Sequence, residues 1–158
     1  WLAVRVFLQA IRLRVRRGCE HHGARHMLYP GNSLGNALAG GLVETAAGFA
    51  RAVRHGRHIV VSGTTATLGD RAIGGQDAAS QTHFAIDKIE GALQSLGAAL
   101  TDVVRTRVYV RHIHDWEAVA RAHGARFGRI QPANTMVGAA LVGDEYLVEV
   151  EADAILGG

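Results

Sequence analysis

Cysteine is almost absent from this chain, with Cys19 the one thiol in 158 residues. A single thiol excludes an internal disulfide, so stability has to come from packing, and a reducing, cytoplasmic setting is expected. Proline occurs twice, with no low-complexity tract and no repeat of solenoid length, which argues against linkers and against a repeat architecture. No stretch of 18 uninterrupted apolar residues occurs, so no membrane span is expected. Metal-ligand clusters are missing too. His112 and His114 are spaced as two ligands, but no third follows at useful spacing, and a zinc site wants three or four. The pair Gly74-Gly75 lies in "GDRAIGGQD", which has neither a following Lys-Ser/Thr nor G-x-G-x-x-G spacing, so a simple connection is expected there and not a phosphate cradle.

What is present is one domain's worth of chain, 48% hydrophobic, enough for one core and too short for two. The formal charge is +3, and a pI near 9.6 points at first to a nucleic-acid partner. The charge is unevenly placed, however. Residues 1–26 carry six Arg against Glu20, a net of +5, whereas residues 27–158 carry eleven Lys plus Arg against thirteen acids, a net of −2. The basicity belongs to the arm "WLAVRVFLQAIRLRVRRGCEHHGARH". An Arg-rich, acid-poor arm reads as an amphipathic surface helix or a presequence, or else as a leader, tag or other non-native stretch ahead of a domain covering 27–158. The second reading is the expectation, because Arg outnumbers Lys sixteen to one, the usage of a GC-rich genome whose leader DNA also reads as Arg, Ala and Gly.

Periodicity organises the rest. "GFARAV" and "HIVVSGTT" flank Arg54-His55-Gly56-Arg57 as a β-hairpin, with the glycine permitting a tight turn. Residues 76–96 place Ala79, Thr82, Ile86, Ile89, Leu93 and Leu96 on one helical face, and Gly97 suits the C-terminal cap. "DVVRTRVYVRH" switches to period two, with Val104, Thr106, Val108 and Val110 inward and Arg105, Arg107, Tyr109 and Arg111 outward. Asp115 is a suitable N-cap for a second helix over about 116–128, with Val119, Ala122 (or His123) and Phe127 inward. "NTMVGAALV" and "YLVEVEADAIL" predict two strands about the turn Gly143-Asp144-Glu145, the second setting Val148, Val150 and Ala152 against Glu149, Glu151 and Asp153. This order predicts an α+β domain, a mixed sheet with two helices on one face. The charged rows belong on the other face, partly neutralising each other and partly lining a subunit contact, so a closed oligomer is expected.

Five segments, "RAVRHGRHIVVSGTT", "GALQSLGAALTDVVRTRVYV", "HDWEAVARAHGARF", "QPANTMVGAAL" and "LVEVEADAI", together resemble the RidA/YjgF family of reactive-intermediate deaminases. They cover residues 48–158 in family order. The resemblance implies a chorismate-mutase-like α+β fold, a homotrimer with three clefts between subunits, and hydrolysis of enamines and imines without metal or organic cofactor. In the deaminating members a Pro-Ala-Arg-Ser motif supplies an Arg that holds the substrate carboxylate. Here that place reads Pro132-Ala133-Asn134-Thr135, so the charge-assisted fork is replaced by an amide. Phe49 stands where the deaminases carry an active-site Tyr, and Ala120 where they often carry Asn. Glu149 matches the Glu that positions the attacking water, the expected catalytic residue, and Ser62, Gly63, Phe49, Asn134 and Met136 are the expected substrate-binding residues.

The expected function is hydrolysis of a small enamine or imine, with a substrate range unlike that of 2-aminoacrylate deaminases; the alternative is a non-catalytic trimer that binds a small metabolite. Members of the family are also labelled ribonucleases, but a domain of net charge −2 lacks the basic aromatic surface that RNA requires. No nucleic-acid or membrane partner is expected. His123 is a secondary candidate, since a histidine facing a cleft is more often a hydrogen-bonded structural group than a base.

Overall fold

A computed structural model describes residues 34–37 and 47–157; the basic arm and Met27 lie outside them. The chain runs β1 (Leu34–Ala37), β2 (Ala52–His55), β3 (His58–Thr65), β4 (Thr67–Leu68), β5 (Arg71–Ala72), α1 (Ala78–Ser95), β6 (Val103–Val110), α2 (Trp116–Phe127), β7 (Ala133–Gly138) and β8 (Val148–Ile155). Two 3-10 turns, Leu100–Asp102 and Ile113–Asp115, lead into β6 and α2. Strands β1-β2-β3-β8-β6-β7 form one mixed sheet, antiparallel except where β6 and β7 run parallel. The α+β architecture with two helices on one face is as expected.

Local chemistry explains the helix ends. Asp77 caps α1 by accepting from the Ser80 amide at 2.9 Å, and the hydrogen bonds to Ser80 hold its carboxyl below the usual range. At the other end Gly97 takes φ +80°, and the amides of Gly97 and Ala98 donate to Gln94 and Leu93 at 3.1 and 2.9 Å. That is the Schellman pattern, which needs a left-handed residue. Arg54 adds a cation there, donating to the Leu96 carbonyl at 2.8 Å. Ile86, Ile89 and Leu93 of α1, with Val119 and Phe127 of α2, bury themselves against Ile59, Val61, Val108, Val110, Val148 and Val150 of the sheet.

Four expectations are corrected. The strands "NTMVGAALV" and "YLVEVEADAIL" do not form a hairpin: β7 pairs in parallel with β6 through the α2 crossover, and β8 lies between β3 and β6. The residues between them are held instead by Arg111, which donates to the carbonyls of Tyr146 at 2.6 Å, Leu141 at 3.1 Å and Gly143. Arg111 therefore staples a loop and does not neutralise the acidic row. Val103, not Val104, is buried, because the β6–β8 register shifts between Val103 and Arg105. Asp115 has helical backbone angles and its side chain makes no cap bond, since the 3-10 turn feeds directly into α2.

Two features of the fold differ from what the sequence pattern predicts. "GDRAIGGQD" is not only a connection, for its start closes the small β4–β5 hairpin around Gly69 at φ +63°. Gln81 is fully buried and donates to the Gly75 and Glu145 carbonyls at 2.7 and 2.9 Å while accepting from the Leu147 amide at 2.9 Å. It ties α1 to the loop before β8.

Candidate active site

The site begins with an irregularity in β3. Val61 pairs with Ala152 and Thr64 with Val150, so Ser62 and Gly63 together oppose one residue of β8. Such a bulge re-aims side chains and is common beside functional sites. Glu149 stands on the sheet face away from the helices, half-buried, with its carboxylate directly over Gly63. A Cβ on Gly63 would overlap that carboxylate and lie 3.0 Å from the Glu149 Cδ. Burial pushes the Glu149 carboxyl above its ordinary range; Arg51 acts against this shift and Glu151 acts with it.

This contact yields a direct test. Gly63 is not in the left-handed region and the obstacle is the end of a flexible side chain, so Gly63→Ala should fold with a stability change under about 1 kcal/mol. Glu149 would have to swing aside, and any activity that depends on it should fall about tenfold or more. Comparing the urea midpoint with the turnover rate checks both halves.

Asn134 lies elsewhere. In the β6–β7 register it pairs with Thr106, whereas Glu149 pairs with Tyr109, so the two project to opposite faces of the sheet. The Asn134 Nδ2 donates to Thr106 Oγ1 at 2.9 Å, and that hydroxyl is 2.9 Å from His123 Nε2 on α2. His123 packs against the Phe127 ring at a centroid distance of 4.6 Å, and burial holds it below the usual histidine range. Met136, also on the helix side, rests against the core. Ser62 donates from Oγ to the Ala50 carbonyl at 2.8 Å, one residue after Phe49, which is 40% exposed. One chain thus brings Ser62, Gly63 and Glu149 together and leaves Asn134 and Met136 on the far side. His112 and His114 stack at 5.5 Å, and among the described residues no three His, Cys, Asp or Glu are placed to hold a metal ion.

The chain matches the family model described as Endoribonuclease L-PSP over residues 41–156. The chain belongs to the RidA/YjgF family. Among RidA/YjgF relatives, a Mycobacterium tuberculosis structure described as a member of the YjgF/YER057c/UK114 family is 44% identical, with TM-score 0.72 over 78% of this chain and 99% of that one. An uncharacterised Streptomyces coelicolor protein is 38% identical over 72% of this chain and 86% of its own length. The 2-iminobutanoate/2-iminopropanoate deaminase of Escherichia coli is 28% identical over half of this chain, and the match spans 64% of the deaminase. Among the described residues no helix is long and apolar enough to cross a membrane.

Two residues beside Glu149 are not among the expected site residues. Arg51 is 8% exposed and donates from Nη2 to the Gly63 carbonyl at 2.5 Å. Its signal was a lone guanidinium inside the apolar run "GFARAV". Tyr109 donates to Glu151, a bond that raises the phenol above its usual range.

Proposed function

We propose that this RidA/YjgF protein hydrolyses a small imine or enamine whose recognition does not rest on an α-carboxylate, in a cleft completed by a second copy of the chain within a homotrimer. The observation that carries this reading is the half-buried Glu149 carboxylate held over the bulge at Gly63, with its proton affinity raised by burial. A base whose pKa moves toward the working pH transfers protons more effectively. As water attacks the C=N carbon, Glu149 takes its proton and returns it to the nitrogen. The resulting carbinolamine collapses to a carbonyl compound and ammonia, consuming one water. The relative named for 2-iminobutanoate and 2-iminopropanoate supports the reaction class. Asn134, an amide already engaged by Thr106, offers no cationic fork and so argues for a different substrate range.

A second copy is invoked because Asn134 and Glu149 face opposite ways in one chain. The open sheet face also exposes Val60 and Val137, at 53% and 41%, beside the row in which Arg107 reaches Glu151 and Asp153 at 3.5 Å. Sedimentation should give a trimer, and a monomer at micromolar concentration would remove the shared cleft.

Ammonia release from 2-iminobutanoate, compared with that from an imine of a simple ketone, tests the reaction. Faster release from the ketone imine is expected. Saturable binding of the ketone with no turnover of either imine would favour the non-catalytic metabolite-binding trimer, the reading that the engaged Asn134 amide also permits.

A further inference from the structure

We propose that Arg51 is the positioning residue for Glu149: its guanidinium fixes the carboxylate at the Gly63 bulge. This rests on the reading of Glu149 as the working carboxylate. Strand parity places the two together. Ala52 pairs with Val61, which points into the core, so the neighbouring Arg51 belongs to the same open face as Glu149. Both then converge on a single residue. Arg51 donates to the Gly63 carbonyl at 2.5 Å, and Glu149 occupies the space a Cβ of Gly63 would need.

The approach of Arg51 is itself fixed. The Ser62 amide donates to the Arg51 carbonyl at 3.0 Å, and the Ser62 hydroxyl donates to the Ala50 carbonyl at 2.8 Å. The bulge and the entry to β2 are therefore one hydrogen-bonded unit, with the guanidinium folded back over it.

The groups facing Glu149 set the charge balance. Thr65 of β3 and Tyr109 of β6 are its register partners, and Glu151 follows it on β8. Thr65 is uncharged, and Tyr109 is engaged by Glu151 and stays protonated at neutral pH. Burial and Glu151, itself engaged by Arg107 of β6 at 3.5 Å, both favour a protonated Glu149, and Arg51 opposes them. Without it, Glu149 would hold its proton to a higher pH, and a base must be free to accept one. A guanidinium committed in this way also differs from a substrate clamp, since its charge is directed at a protein carboxylate.

The test reads the Glu149 carboxyl carbon by NMR across a pH titration of the full-length labelled protein, the signal being assigned by its loss in Glu149→Gln. Arg51→Gln should move the midpoint upward by about 1–3 pH units, the scale for losing an adjacent opposite charge, and Arg51→Lys should bring it back toward the unmutated value. An unmoved midpoint in a folded Arg51→Gln protein would overturn the assignment. If that variant does not fold, the unmutated protein decides: the Arg51 guanidinium nitrogen signals should shift with the Glu149 midpoint, and flat signals would refute the coupling. Neither measurement involves turnover, so failure here is separate from failure of the hydrolase reading, which stands or falls on ammonia release.

Discussion

Glu149→Gln is expected to lower imine hydrolysis by about 10²–10⁴-fold and, at neutral pH, to make the folded protein slightly more stable. The loss follows because an amide of the same shape cannot take a proton from water. The gain follows from linkage. Burial raises the Glu149 carboxyl above its unfolded value, helped by Glu151 and resisted by Arg51, so the folded state holds this proton more tightly than the unfolded chain does. A group raised in this way contributes stability that is fully present below the unfolded pKa and is lost as pH rises through the folded pKa. At neutral pH the ionised carboxylate is therefore a cost, and Gln removes it. The half-buried position and the charge left on Arg51 limit the benefit to about 1 kcal/mol or less. Urea unfolding at neutral and acidic pH should show the difference shrinking in acid. In the unmutated protein the rate should rise with pH along a limb displaced upward from that of an ordinary glutamate. A folded Glu149→Gln protein that releases ammonia at the original rate would take the carboxylate out of the reaction.

Much of this was legible in the chain because burial imposes period. The α1 and α2 faces and the alternation of β8 follow from apolar spacing, and Ile86, Ile89, Leu93, Val119, Phe127, Val148 and Val150 are buried as their spacing requires. Strand partners were not legible in the same way. Alternation says that Glu149 and Asn134 each have a face but not which face they share, since that depends on register across β6. The hairpin expected around Gly143 failed for this reason: a turn sequence fixes a bend, whereas the neighbours of β8 are chosen by long-range pairing with β3 and β6. Arg51 and Gln81 were hidden by their type. A buried polar residue is recognisable only once its partners are known, here the Gly63 carbonyl for one and the Gly75, Glu145 and Leu147 backbone for the other. The resemblance implies a role for Glu149 and a departure at Asn134, and the Glu149 carboxylate, lying where a Cβ would go, accounts for the glycine at position 63.

Asn134→Arg should improve hydrolysis of a 2-aminoacrylate-type substrate. The gain is expected to be about 1–3 kcal/mol in kcat/KM, roughly 5- to 150-fold, the range for a hydrogen bond to a charged group. Asn134 is exposed on β7, which among the described residues is an edge strand, so a longer side chain has room to extend once it leaves Thr106. Leaving costs little of the core, because Thr106 keeps His123 as a partner. Phe49 and Ala120, at positions where the resemblance implies polar groups in the deaminating members, set an upper limit on the improvement. Adding Glu149→Gln should abolish it, since binding a carboxylate does not supply a base. The same double variant also tests whether the cleft is shared. Inactive alone, it should recover part of the gain when co-assembled with the unmutated chain, because its substituted guanidinium then faces an intact Glu149 on another copy. Recovery without co-assembly, or an unmutated chain already as fast as Asn134→Arg, would mean that substrate recognition here does not pass through position 134.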